Sequence, residues 1–166
     1  WSNLIRLKKE KEVVGIYISS HPLDDFNLAM DHFVSISLNH LGDLENHVNR
    51  ELSVGGIVNE VEHLESRAGK SWARFTLEDF TDLYEFRIFG EDYLKYRHFL
   101  VSNQFIRIRI MIREGWINKE TGKIGSPRIQ YLNFEMLENT IETNAKKITL
   151  NIDVKKLKKE KIDDLQ

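Results

Sequence analysis

No cysteine occurs in this chain, which excludes disulfides, thiolate metal cages and a thiol nucleophile. That absence fits a reducing compartment, and the cytoplasm is the expected location. No apolar run approaches the roughly 18 residues of a membrane span, so no membrane partner is expected. There is no G-x-x-x-x-G-K-[ST] phosphate loop, no G-x-S-x-G elbow and no dinucleotide fingerprint. An excess of charge of one sign is missing too: 24 Lys and Arg stand against 26 Asp and Glu, a net charge of -2. Nucleic-acid modules are often strongly basic as a whole, so a nucleic acid bound here must sit in a local groove.

What is present is the makeup of a globular protein, 41% hydrophobic and 30% charged over 166 residues. The chain opens on Trp1 and stops at Ile162-Asp163-Asp164-Leu165-Gln166 within a helical pattern, and is expected to be a piece of a longer protein. Its histidines, His21, His32, His40, His47, His63 and His98, show no metal-binding spacing, so no metal or other cofactor is expected in this piece. Asp79 and Asp82 imitate a catalytic carboxylate pair but flank a turn, where aspartate is favoured for its own hydrogen bonding.

The residues before the fifties read as helical. Leu4, Leu7, Val14 and Ile18 fall near helical spacing from Asn3 to Ser19, and Ser19-Ser20-His21-Pro22 ends that helix because proline restricts the residue before it. Leu23, Phe26, Met30 and Phe33 form the stripe of a second helix, with Asp24 and Asp25 at the end its dipole favours. Ser35 to Arg50 reads as a polar connector.

From Glu51 the period changes to that of strands. Leu52–Leu64, Trp72–Leu77, Leu83–Phe89, Phe105–Arg113 and Arg128–Leu137 make five, the fourth alternating Ile106, Ile108, Ile110 and Ile112 with Arg107, Arg109 and Arg113. Gly55-Gly56 suits a bend or close packing inside the first strand. Glu91–Leu100 reads as a helix whose Tyr93, Tyr96 or Arg97, and Leu100 plug one end of a barrel. Three strands, a helix and two strands in about ninety residues match the OB-fold, a partly open Greek-key barrel. The expected fold class is mainly β with flanking helices: a helical segment and connector over 1–50, the barrel over 51–137, and over 138–166 a linker and truncated α/β tail. In that tail Ile148, Leu150, Ile152 and Val154 alternate as a strand, and Lys155–Gln166 begins a helix.

An OB barrel binds through the face of strands two and three and the loops beside it. Here that surface offers Arg67 and Lys70 from the first loop, Trp72, Arg74, Arg87 and Phe89 from the strands, and Trp116, Lys119, Lys123 and Arg128 from the last loop. Cations beside exposed rings suit a single strand, whose phosphates need positive charge and whose bases stack. Arg107, Arg109 and Arg113 form a cationic stripe on strand four that either extends this groove or, the favoured expectation, pairs with Glu60, Glu62 and Glu85 on neighbouring strands. Gln130-Tyr-Leu-Asn-Phe134 imitates a sliding-clamp-binding peptide but lies inside a strand.

Two stretches carry a family resemblance. Glu12-Val-Val-Gly-Ile-Tyr-Ile-Ser-Ser-His-Pro-Leu-Asp-Asp-Phe26 resembles the E-x-x-G-x-Y-x-S-x-H-P-L-D-x-[YF] segment that precedes the OB domain of the bacterial DNA polymerase III alpha subunit. Val54-Gly-Gly-Ile-Val-Asn-Glu-Val61, Phe75-Thr-Leu-Glu-Asp79, Phe86-Arg-Ile-Phe89 and Tyr93-Leu-Lys-Tyr96 look like that domain in order and spacing, although Thr81-Asp82 stands where many relatives have Thr-Gly. The resemblance implies a non-catalytic piece of a nucleotidyltransferase, whose magnesium-holding acids lie outside this chain, with single-stranded template DNA as its ligand. It further implies contact with the clamp-loader tau subunit through the tail from Lys146, and with the sliding clamp through regions outside the chain. A spacer between polymerase core and tail, or an anticodon-type RNA-binding barrel, are the alternatives.

Overall fold

The computed structural model describes residues 3–15, 17–117 and 121–146. The tail strand and helix expected beyond 147 lie outside them. The first helix, α1 (Asn3–Val14), buries Leu7 and stops five residues before the expected Ser19. Gly15 takes a φ of 84° and donates its N–H to the Lys11 carbonyl, a left-handed cap that glycine adopts without steric cost. Val14 and Ile18, which share the helical spacing of Leu4 and Leu7, are exposed. A 3-10 turn (Asp24–Phe26) leads into α2 (Asn27–Phe33).

The five strands are β1 (Glu51–Glu65), β2 (Ser71–Glu78), β3 (Leu83–Phe89), β4 (Phe105–Arg113) and β5 (Arg128–Met136). They form one antiparallel sheet in the order β3-β2-β1-β4-β5, the expected mainly-β, OB-type arrangement. Between β3 and β4 run α3 (Gly90–Tyr96) and a 3-10 turn. Tyr93, Tyr96 and Leu100 are buried in the barrel core as the spacing predicts, while Arg97 is exposed.

The core gathers Val54 and Val58 of β1, Phe75 and Leu77 of β2, Phe86 and Ile88 of β3, the four isoleucines of β4, and Tyr131 and Phe134 of β5. It also contains Leu38 and Leu41. The segment read as a polar connector therefore folds into 3-10 turns (Leu38–Gly42 and Leu44–His47), the first of which packs against β3 and closes the core with Leu38 and Leu41. Its apolar residues are too few and too irregularly spaced to register as a helix or strand.

Residues 52–58 of β1 are buried without alternation because both faces are covered. On the outer side, Leu23, Ala29, Met30 and Leu137 make a second core with Phe26, Val34, Phe105 and Ile141. Leu137 belongs to α4 (Leu137–Asn144), a helix within the stretch read as linker. Arg107 ties these layers together. Its Nε donates to the Phe33 carbonyl at 2.8 Å and to Ser53 Oγ at 2.7 Å, and its guanidinium pairs with Glu135 at 2.5 Å.

The His21-Pro22-Leu23 segment is a latch between helix and barrel. The Leu23 N–H donates to His21 Nδ1 at 3.1 Å, the His21 N–H donates to Asp24 Oδ2 at 2.7 Å, and the Leu23 side chain is fully buried. The His21 ring lies between Tyr17 and Phe80, with centroid distances of 4.9 and 4.6 Å. Beside it, the buried carboxylate of Glu78 takes the Lys11 ammonium and the Asn59 amide. Burial next to that carboxylate pushes the Tyr17 phenol up to about 12. Asp79 is equally structural: its carboxylate accepts from the Leu38 N–H, the Thr81 N–H and hydroxyl, and the Asp82 N–H.

Candidate nucleic-acid interface

The Ser66–Lys70 hairpin fixes the register of the strand face. Glu65 pairs with Ser71, which carries Leu64 to Trp72 and Glu62 to Arg74. On the other side Trp72 pairs with Phe89, Arg74 with Arg87 and Thr76 with Glu85. Trp72, Arg74, Arg87 and Phe89 thus share one face. The Trp72 and Phe89 rings stack with centroids 5.1 Å apart and planes 18° from parallel, and Phe89 is 57% exposed.

The arginines on this face are occupied. Arg74 donates to both Glu62 oxygens at 2.9 and 2.8 Å and has Glu85 at 3.7 Å. Arg87 reaches Glu85 at 2.9 Å. The hydrogen bond to Glu62, then the charges of Glu62, Glu85 and Glu60, hold the Arg74 guanidinium above its ordinary value. Glu62 and Glu85, expected to serve strand four, serve β2 and β3 instead: Glu62 lies opposite Arg74 in the β1–β2 register, and Glu85 lies two residues from Arg87 along β3. Arg107 pairs with Glu135, Arg109 with Glu51, and Arg113 hydrogen-bonds Gln130. The expected kind of contact is present with other partners.

Around the edge of β3 the face opens into a groove of about 650 Å³, lined by Leu44, Tyr84, Glu85, Phe86, Arg87, Phe89, Trp116, Pro127, Arg128, Ile129 and Tyr131. The groove occupies the seam between the free edges of β3 and β5. Arg128 lies over the Trp116 ring at 4.3 Å, and Trp116 is 76% exposed. The loop bearing Trp116 is held by an isolated bridge between Ile117 and Ile124, and by the Gly125 N–H donating to the Trp116 carbonyl at 3.0 Å.

Of the residues expected to bind, the groove brings together Arg87, Phe89, Trp116 and Arg128, and the adjoining face holds Trp72 and Arg74. Arg67 and Lys70 sit exposed in the β1–β2 hairpin and Lys123 in the β4–β5 loop, outside the groove lining. Lys119 lies outside the described residues. Among the described residues, no ion pair engages Arg67, Lys70, Lys123 or Arg128. Sequence reasoning missed Tyr84 and Tyr131, since alternation marks them as core and gives no sign that two free strand edges would face each other. Among the described residues no group of three or more histidines and carboxylates is arranged to hold a metal ion, and no helix is long and apolar enough to cross a membrane.

No family model matches the chain. Among curated proteins, it is 35% identical over 100 residues to a DNA polymerase III subunit alpha of Borreliella burgdorferi, covering 60% of this chain and 8% of that protein. The Bacillus subtilis protein of the same name is 27% identical over 148 residues, covering 87% of this chain and 12% of the relative. Solved structures are more distant. A candidate aspartyl-tRNA synthetase from Leishmania major aligns with 64% of this chain and 21% of its own at a TM-score of 0.40 and 9% identity, too slight a likeness to bear on function. The chain spans about a tenth of the length of the curated relatives it matches. Over most of its own length, this chain is similar to one region of the bacterial DNA polymerase III alpha subunit.

Proposed function

We propose that the chain is a non-catalytic OB module of a replicative polymerase subunit that holds single-stranded template DNA. The observation that carries this reading is the seam groove, where Trp116 under Arg128 faces Arg87 and Phe89, with the Trp72–Phe89 stack continuing the surface. Exposed rings give unpaired bases a stacking platform at about 1–3 kcal/mol each, whatever the base. Unpaired cations at Arg67, Lys70, Lys123 and Arg128 flank that platform where phosphates would pass. Catalysis, magnesium, and contacts with the clamp and the clamp loader belong in this reading to other parts of the parent protein, in the cytoplasm.

Fluorescence anisotropy with a labelled oligonucleotide tests the proposal. Trp116→Ala is expected to weaken binding by about 1–3 kcal/mol. With about three phosphates neutralised, log K is expected to fall with log salt at a slope near -2. Binding unaffected by both Trp116→Ala and Trp72→Ala would defeat it. The pairing of Arg74 and Arg87 with acids favours a second reading, in which the module is a spacer that contacts proteins. Absence of oligonucleotide binding at low salt, with retention of polymerase partners in a pull-down, would select it.

A further inference from the structure

Nothing in the stability of the barrel requires the ladder of charges on its binding face. The Arg74 and Glu62 side chains are 41% and 51% exposed, those of Arg87 and Glu85 60% and 42%, and ion pairs so open to water contribute little to stability. Their effect is on the electrostatic field. Glu60, Glu62 and Glu85 oppose the two guanidiniums of Arg74 and Arg87, so the centre of the face carries no positive excess. The cations that remain unpaired stand at its margins, in the hairpin that bears Arg67 and Lys70 and on the far side at Arg128. Between those margins the stacked Trp72 and Phe89 rings offer contact only to a flat apolar surface.

Single and double strands differ in what they present to such a face. An unpaired base can lie on the rings while its phosphates reach the margins. In a duplex the base faces are already stacked inside, and the backbone offers charge alone, which a compensated face does not attract. We infer that Glu62 and Glu85 are specificity residues: by holding Arg74 and Arg87 they make the binding face selective for unpaired bases and unreceptive to duplex DNA. This rests on the groove being a nucleic-acid site, as proposed above.

The experiment compares a labelled oligothymidylate with a labelled hairpin duplex over a salt series, for the natural chain and for Glu62→Gln with Glu85→Gln. The natural chain is expected to bind the duplex at least about tenfold more weakly than the single strand. In the double variant the duplex is expected to gain about tenfold, and its log K against log salt to steepen by up to about 1.8, at roughly 0.9 for each freed guanidinium. Glu62→Gln alone is expected to give about half that change in slope. Since the expected result is a gain of binding, a misfolded variant cannot imitate it. Glu91→Gln with Glu138→Gln, exposed carboxylates on α3 and α4, controls for net charge, and an equal gain there overturns the inference. Single-strand binding by the natural chain, with duplex affinity and slope unchanged in the double variant, overturns the inference alone. Failure of the natural chain to bind any single strand removes the reading of the groove and the inference with it.

Discussion

The hydroxyl of Tyr131 on β5 donates to the backbone carbonyl of Arg87 on β3 at 3.0 Å, one side chain spanning the seam that the sheet leaves open. Burial holds the phenol far above its ordinary ionisation range, so it remains a donor at any working pH. Tyr131→Phe keeps the ring contacts with Phe86 and Phe134 and removes only this bond. The expected loss is about 1 kcal/mol in a urea titration. Because the bond joins the two banks of the proposed binding groove, oligonucleotide affinity is expected to fall as well.

Asp79 anchors the turn between β2 and β3 to the segment that closes the barrel, through the Leu38 N–H at 2.7 Å. Asp79→Ala strands that buried donor and also removes the acceptor of the Thr81 and Asp82 N–H groups in the exposed turn. A loss of about 2–4 kcal/mol is expected, read as a shifted urea midpoint. Thr81→Val, which removes one hydroxyl bond and leaves the backbone bonds in place, is expected to cost about 1 kcal/mol.

The two adjacent glycines of β1 are expected to respond differently to alanine. At Gly56 a methyl group would run into the Glu78 carbonyl and lie 2.9 Å from Leu77 Cγ; at Gly55 it would meet only side chains, Val34 Cγ2 at 2.7 Å and Met30 Sδ at 2.8 Å. Backbone cannot give way as a methionine does. Gly56→Ala is therefore expected to cost about 3 kcal/mol or more and Gly55→Ala nearer 1 kcal/mol, measured by thermal or chemical unfolding.

His21 predicts a dependence on acidity. Its pKa is lowered, first by burial, against the opposing charges of Glu78, Asp24 and Asp79 and with help from Lys11. Its Nδ1 must be unprotonated to accept from the Leu23 N–H. The folded value lies below the unfolded one, so between them the unfolded chain binds more protons, and stability rises with pH. The contribution is complete above the unfolded value of about 6.5 and is lost as pH falls through the folded value. His21→Gln is expected to flatten the fall in melting temperature below that pH; an unchanged slope would remove His21 from the latch.

Strand positions and their inward faces were readable because alternation over Phe105–Arg113 and Leu83–Phe89 is a local property of the chain. The outward positions of Trp72 and Phe89 were readable for the same reason, whereas their stacking follows only from the pairing of β2 with β3. The closure supplied by Leu38 and Leu41 was not, since irregular turns leave no period in the sequence. Ion-pair partners were missed for a related reason. Glu62 finds Arg74 only once the hairpin register is counted back from Glu65 and Ser71, and Arg107 finds Glu135 only through the pairing of β4 with β5. His21-Pro22-Leu23 was legible as a motif, but the packing of its histidine between Tyr17 and Phe80 was not.

The central position of the long strand β1 also favours one order of assembly. Its far end meets β2 across a short hairpin, whereas its start must find β4, so that Glu51 and Arg109 join across 58 residues of chain. Neighbouring pairings close quickly and distant ones slowly, because loop entropy is spent before the contact repays it. The β1–β2–β3 meander can therefore form early, with β4 and β5 added later. Since the groove has β3 on one bank and β5 on the other, a half-folded chain carries the Trp72–Phe89 stack and no channel, and the proposed binding groove is completed last.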